Sequence, residues 1–257
     1  MLEVNDLSFS YGGRLILNDI SLKAENGEFV SVLGCNGAGK STLFKCILGI
    51  LSAYSGTVSV DGQDTRTLSV REIAQRIAYI PQMSASAFNY SVEDIVLMGT
   101  TAGLNSLHSP GREEKRRAEE ALERMGIRDL RQRCFHHLSG GERQLAVIAR
   151  ALAQQAKILL LDEPCSALDF GNRFRILSEA KSLADDGYLV IQTTHDPEGA
   201  YLFSDRIVAL RGGKVYAQGT PGEVITAENI RELYGVTTKQ SSIFDDRVRV
   251  FTPDCVL

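Results

Sequence analysis

Along the first third of the chain, apolar and polar positions alternate in short runs. Leu2-Glu3-Val4, Leu7-Ser8-Phe9-Ser10-Tyr11 and Ile20-Ser21-Leu22-Lys23-Ala24 repeat every second residue, which predicts half-buried strands about the turn Gly12-Gly13. Residues 29–33 are mostly apolar and read as a buried strand that ends at Gly34, after which 40–48 continue as a helix. Thr57-Val58-Ser59-Val60 before Asp61-Gly62 is a strand and tight turn, and Ile77-Ala78-Tyr79-Ile80 is a short strand stopped by Pro81. Between 91 and 155 the period lengthens to that of helices. Val92, Ile95, Val96 and Met98-Gly99 mark one, 112–125 a second and 142–153 a third. Strands return at 158–161, 188–192 and 207–210, with a helix over 172–183 and a closing hairpin at 214–217 after Gly212-Gly213. The polar end, 237–257, carries a β-like Val248-Arg249-Val250-Phe251 to which no role attaches.

Strands alternating with helices imply an α/β fold, with a mostly parallel sheet covered on both faces. No repeat, low-complexity tract or long linker divides the 257 residues, and 44% hydrophobic content suffices for a sizeable core. The expected organisation is one domain over 1–257. Its core is formed by 1–84 and 156–240, a helical subdomain is inserted over 85–155, and 241–257 form a C-terminal tail. No run reaches the roughly 18 apolar residues of a membrane span. Met1-Leu2-Glu3-Val4-Asn5-Asp6 lacks a basic leader. The chain is therefore expected in the cytosol, free to sit against a membrane. A net charge of −4 gives no footprint for nucleic acid. The charges crowded over 112–117 read as a solvated helix face, with i,i+4 pairs Glu113–Arg117 and Glu120–Arg124. The five cysteines, at 35, 46, 134, 165 and 255, show no metal or C-x-x-C spacing and are expected to be reduced. Cys35 differs in lying inside a glycine loop, where oxidation would obstruct a bound nucleotide.

That loop is Gly34-Cys35-Asn36-Gly37-Ala38-Gly39-Lys40-Ser41-Thr42, which fits the phosphate-cradling pattern G-x-x-x-x-G-K-S/T in its required strand–loop–helix setting. Glycines 34, 37 and 39 let backbone N–H groups approach an anion, and the following helix adds the positive end of its dipole. Lys40 supplies a cation for the β- and γ-phosphates, Ser41 a hydroxyl for Mg2+ and Thr42 a further phosphate contact. Asp162 and Glu163 close the apolar run Ile158-Leu159-Leu160-Leu161. Two adjacent acids at a sheet's carboxyl edge, where α/β ligands bind, call for a cation between them, and Mg2+ is the natural one. Leu138-Ser139-Gly140-Gly141-Glu142-Arg143-Gln144 opens the third helix and forms a second anion-binding helix start.

These strings, in this order, resemble the ATP-binding cassette (ABC) ATPases, and the resemblance covers 4–235. It implies a P-loop NTPase core with an N-terminal antiparallel β subdomain and an inserted helical subdomain. It also implies ATP hydrolysis with Mg2+. Asp162 would hold the metal with Ser41, and Glu163 would polarise the attacking water. His195, at the end of the strand after the carboxylate pair, resembles the switch histidine that contacts the γ-phosphate. Gln82 matches the glutamine that senses the metal or the attacking water. Tyr11 corresponds to the aromatic residue that stacks on adenine. Asp169, in Ser166-Ala167-Leu168-Asp169, matches the loop that faces the opposite subunit. Ser139, Gly140, Gly141 and Gln144 would cap ATP held by another copy, giving a head-to-tail homodimer with two sandwiched nucleotides. Cys35 and Cys165 depart from the family's usual residues, at positions that are not catalytic.

Val92-Glu93-Asp94-Ile95-Val96-Leu97-Met98-Gly99 resembles the start of the helical lobe in importers of iron–siderophores, haem and cobalamin, although Thr100-Thr101-Ala102-Gly103 departs from the residues usual after it. The resemblance thus implies a peripheral ATPase at the cytoplasmic face of the cell membrane. Its partners would be transmembrane permease subunits and, indirectly, a substrate-binding protein, with no nucleic acid. Residues between Gln82 and Tyr90, Phe88 among them, would line the groove for the permease's coupling helix. Other importers and non-transport ABC proteins remain as alternatives, although the chain lacks the coiled-coil insertions or second cassette of the latter. A P-loop kinase or GTPase would share Gly34 to Ser41 but would not need the string at 138–144, and no N-K-x-D guanine reader is present.

Overall fold

A computed structural model describes residues 1–82, 89–103 and 110–254. The chain runs through β1 (Leu2–Tyr11), β2 (Arg14–Ala24), β3 (Phe29–Leu33), α1 (Lys40–Ile47), β4 (Ser55–Val60), β5 (Gln63–Asp64), α2 (Val70–Arg76) and β6 (Ile77–Ile80). It continues through α3 (Val92–Gly99), α4 (Arg112–Arg124), α5 (Gly140–Ala153), β7 (Ile158–Asp162), α6 (Phe170–Asp185), β8 (Leu189–Thr194) and α7 (Pro197–Phe203). It closes with β9 (Arg206–Arg211), β10 (Lys214–Gly219), α8 (Pro221–Val224), α9 (Ala227–Tyr234), β11 (Thr238–Ile243) and β12 (Val248–Pro253).

The alternating N-terminal runs form an antiparallel sheet in the order β2-β1-β4-β5. The two strands expected before Gly12 are one. Their break in period is a register shift between Val4 and Leu7, where Asp6 turns to φ 52° and keeps both apolar sets facing inward. The second sheet has the order β10-β9-β3-β8-β7-β6, with β3, β6, β7, β8 and β9 parallel and β10 antiparallel at one edge. Both faces of this sheet are covered, which explains why 158–162 is an unbroken buried run. Leu159, Leu161 and Val190 face α3–α6, whereas Ile158, Leu160, Leu189 and Ile191 face α1 and the antiparallel sheet. A third cluster joins Leu33, Ile207 and Ala209 to α7, α8 and α9.

Helix starts follow side-chain chemistry. Ser69, Ser91 and Ser139 each accept from the backbone N–H three residues on, and an acid there reaches back, closing capping boxes on α2, α3 and α5. Arg117 pairs with Glu113 as expected, but Arg124 turns away from Glu120 to Glu179 and Asp186 around α6, at 3.1 and 2.8 Å. Pairing across elements places Arg124 among three polar groups, Ser182 included, instead of one exposed carboxylate. The polar end also carries more structure than expected: β11 and β12 form a hairpin, tied to α7 by Tyr201 Oη donating to the Asp246 carbonyl at 2.5 Å. Cys35, Cys46, Cys134 and Cys165 are unpaired. Among the described residues, no helix is long and apolar enough to cross a membrane.

Candidate nucleotide site

Parallel order brings the carboxyl ends of β3, β7 and β8 to one edge, and the residues that follow each strand meet there. The loop from Gly34 to Gly39 delivers the chain into α1. At Gly39 the backbone takes φ 102°, a conformation that strains any residue with a side chain, and a Cβ would press on Leu17 Cδ2 at 2.7 Å. Asn36, Gly37, Lys40, Ser41 and Thr42 border an open cleft of about 500 Å3, with Tyr11 on its wall. Ala38 is buried beneath it. Tyr11 is half exposed and rests edge-on against Phe9, centroids 4.8 Å apart, leaving the ring accessible for stacking.

Lys40 is 5% exposed, which demands compensation for its charge. Its ammonium donates to the Gly34 carbonyl at 2.7 Å and the Cys35 carbonyl at 3.2 Å, and lies 3.2 Å from Glu163 Oε1. The other oxygen of Glu163 lies 3.5 Å from His195 Nδ1. Glu163 holds this place on a left-handed backbone, φ 48°, a conformation costly for a residue with a Cβ and characteristic of functional sites. Its N–H donates to Thr193 Oγ1 at 2.9 Å, and the same hydroxyl donates to Asp162 Oδ1 at 2.6 Å. Ser41 Oγ and Tyr79 Oη also donate to Asp162, each at 3.1 Å. Burial, then the Asp162 charge, holds the Tyr79 hydroxyl well above its usual value, so it remains a donor. Neither Thr193 nor Tyr79 was singled out by the motifs. Their signal was positional: polar side chains in otherwise apolar strands beside the carboxylate pair.

Gln82 is exposed and donates from Nε2 to Ser166 Oγ at 3.2 Å, which ties the end of β6 to the turn after β7. Ser139 caps α5 by accepting from Glu142 N. Gly141 lies so near α6 that a Cβ would stand 2.2 Å from Asn172 Oδ1. Asn172 in turn donates twice to Asp169, from backbone and side chain, each at 2.8 Å. Asp169 is thus the exposed cap of α6, joined to the start of α5 only through Asn172. Gly140, Arg143 and Gln144 border an adjoining cavity of about 380 Å3, which shares Gln82 and Glu163 with the phosphate-loop cleft. Gln144 is 1% exposed and its Nε2 has no acceptor. The residues at 139–144 do not line the phosphate-loop cleft of their own chain. Tyr90 is exposed, while Phe88 lies outside the described residues. Cys165 is partly buried, and burial pushes its thiol up to about 12, consistent with an unreactive position.

A phosphate-sized cradle, a buried cation, a carboxylate ringed by hydroxyls and a second carboxylate held between Lys40 and His195 suit phosphoryl transfer from a nucleotide. One carboxylate and one hydroxyl, Asp162 and Ser41, also fit Mg2+, which takes few protein oxygens and completes its shell with phosphate and water.

The profile of the family described as "ABC transporter" matches residues 17–166. An iron chelatin transport ATP-binding protein of Helicobacter pylori strain J99 is 37% identical over 98% of this chain and 99% of its own length. The hemin import ATP-binding protein HmuV of Rhizobium johnstonii is 36% identical over 96% of this chain and 95% of its own. A solved structure described as an inward-facing conformation of a metal-chelate type ABC transporter superposes with a TM-score of 0.87 at 33% identity, covering 100% of this chain and 99% of that one.

Proposed function

The chain belongs to the ABC transporter family, and from that premise we propose that it is the ATP-hydrolysing subunit of an importer for an iron–siderophore, haem or cobalamin-type substrate. The observation that carries the hydrolytic part is Glu163, buried to 13% exposure and held between Lys40 and His195 on a left-handed backbone. The importer class is supported by the full-length likeness to subunits named for iron chelatin and hemin import.

ATP enters with its phosphates on the N–H groups of 34–42 and its adenine on Tyr11. Without nucleotide, Lys40 neutralises Glu163. Phosphate oxygens compete for the same ammonium, so binding frees the Glu163 carboxylate to take a water proton, with His195 holding its second oxygen. Ser41 and Asp162 would hold Mg2+, which would supply charge neutralisation at the phosphates. Gln82 links this site to the region that meets the permease. A second copy presents Ser139, Gly140 and Gly141 from the start of α5 to the nucleotide, with Asp169 at the subunit boundary, while Gln144, 1% exposed, stays inside its own chain. Closure and reopening of this homodimer drive transmembrane permease subunits from the cytoplasmic face of the membrane, and a substrate-binding protein acts indirectly through that permease. Within each copy, the core over 1–84 and 156–240 holds the phosphate loop and the carboxylate pair, and the helical part over 85–155 carries Ser139 to Gln144.

The test is turnover of Glu163→Gln, which retains shape and ATP binding but cannot take a proton. A loss of about 100-fold or more in kcat is expected. Turnover at the wild-type rate would remove Glu163 from the role. Uptake of labelled ferric siderophore, haem and cobalamin by the assembled transporter then identifies the cargo.

A further inference from the structure

The last two residues of α9 touch two parts of the nucleotide site that are far apart in the chain. The Leu233 carbonyl accepts from Cys35 Sγ at 2.9 Å, inside the phosphate loop. The Tyr234 hydroxyl donates to the His195 carbonyl at 3.1 Å. The helix that carries both contacts is well anchored. Ile230 and Leu233 are buried with Leu33, the residue immediately before the loop, and Glu232 pairs with Arg211 at 2.6 Å. Thr226 caps its start and Gly235, at φ 73°, ends it.

His195 occupies a short joint. β8 ends at Thr194 and α7 begins at Pro197, so the imidazole is aimed by few backbone angles. Asp196 is held by its N–H on Thr194 Oγ1 at 3.0 Å and by its carboxylate on Arg173 at 3.1 Å. Tyr234 holds the preceding carbonyl. The imidazole is itself half exposed, and its carboxylate contact is the one to Glu163 at 3.5 Å. A small rotation of the joint would break that contact. Burial first, with the neighbouring Cys35 and Asp196 adding to it, keeps the Tyr234 hydroxyl protonated and therefore a donor.

We propose that Tyr234 is a positioning residue for ATP hydrolysis, whose hydroxyl fixes the His195 backbone and thereby sets the imidazole against Glu163, from a helix that also grips the phosphate loop through Leu233. The inference rests on the hydrolytic roles of Glu163 and His195 given above. The C-terminal helix is thereby part of the catalytic apparatus.

The test is steady-state ATP hydrolysis by the full chain carrying Tyr234→Phe, which keeps the ring and removes the donor. Loss of one hydrogen bond predicts a fall in kcat of about fivefold. KM for ATP is expected to change by less than about twofold, because no phosphate contact is lost. In a His195→Ala background the same substitution is expected to cost nothing further, since its effect passes through His195. Unchanged kcat would overturn the proposal, as would an undiminished loss in the His195→Ala background, which marks a general structural role. Should Tyr234→Phe fail to fold, Tyr234→His, whose shorter ring does not reach the His195 carbonyl, is read in the same cycle with the same expected and overturning results. Glu163→Gln turning over at the wild-type rate would sink the underlying hydrolytic reading. Loss in Glu163→Gln beside unchanged Tyr234→Phe would sink this inference alone.

Discussion

Replacing Thr193 by valine tests the hydroxyl on which both acids depend. The change preserves shape in a fully buried site and removes one oxygen. That oxygen accepts from Glu163 N at 2.9 Å and donates to Asp162 Oδ1 at 2.6 Å. Orphaning a buried N–H costs about 1–3 kcal/mol, and losing a hydrogen bond to a charged group about 1.5–3 kcal/mol. The two do not add, because Ser41 and Tyr79 still donate to Asp162. A net loss of about 2–3 kcal/mol follows. For a chain of this size that lowers Tm by about 4–12 °C. Thr193→Ser keeps the oxygen and sheds one methyl, costing about 1 kcal/mol. The assay is thermal unfolding without nucleotide, with ATPase turnover measured in parallel; the valine variant should also be the slower enzyme, since Glu163 loses the anchor of its left-handed backbone. Equal stability of the valine and serine variants would refute the role given to the hydroxyl.

Gly141→Ala drives a methyl toward Asn172, 2.2 Å from Oδ1. The overpacking should cost about 1–3 kcal/mol in chemical denaturation and disturb the Asp169 cap behind it. The Glu142 carboxyl is held below its ordinary 4.5 by the Ser139 N–H and then the Ser139 hydroxyl. Its folded value is the lower one, so the stabilisation is present above the ordinary carboxyl range and is lost as pH falls through the folded value. Glu142→Gln should accordingly flatten the acid limb of the stability–pH curve, and an unchanged limb would count against the cap. Burial pushes the Cys46 thiol up to about 11, so at pH 8 an alkylating reagent should leave Cys46 unmodified in the folded protein and label it after denaturation, as mass spectrometry of peptides would read.

The catalytic edge was legible because its chemistry sits in contiguous strings. Gly34 to Thr42, Ser139 to Gln144 and Asp162-Glu163 are each marked by local spacing, and strand–loop–helix periodicity sets them at the element ends where the structure has them. Residues that join the site across the sheet were not legible. Thr193 and Tyr79 come to Asp162 only because β6, β7 and β8 are neighbours, an order that no local pattern reports. Arg124 was misassigned for a similar reason: helix spacing offered Glu120, while the tertiary fold offered Glu179 and Asp186. The short helices α2 and α9 do not stand out in the sequence pattern although both carry signals, the Ser69–Glu72 box in one and Thr226 with Gly235 in the other. Eight residues or fewer give too little periodicity to stand out beside such caps. The proposed roles of 139–144 toward a second copy are of another kind, because they would depend on a surface that one chain does not complete.

That dependence is tested most directly by sedimentation of the Glu163→Gln chain with and without ATP. The account predicts a mass that doubles only when ATP is present, and no doubling once Ser139→Arg is added to the same chain. A chain that stays monomeric at saturating ATP, while the wild-type protein hydrolyses ATP as a monomer, would contradict it.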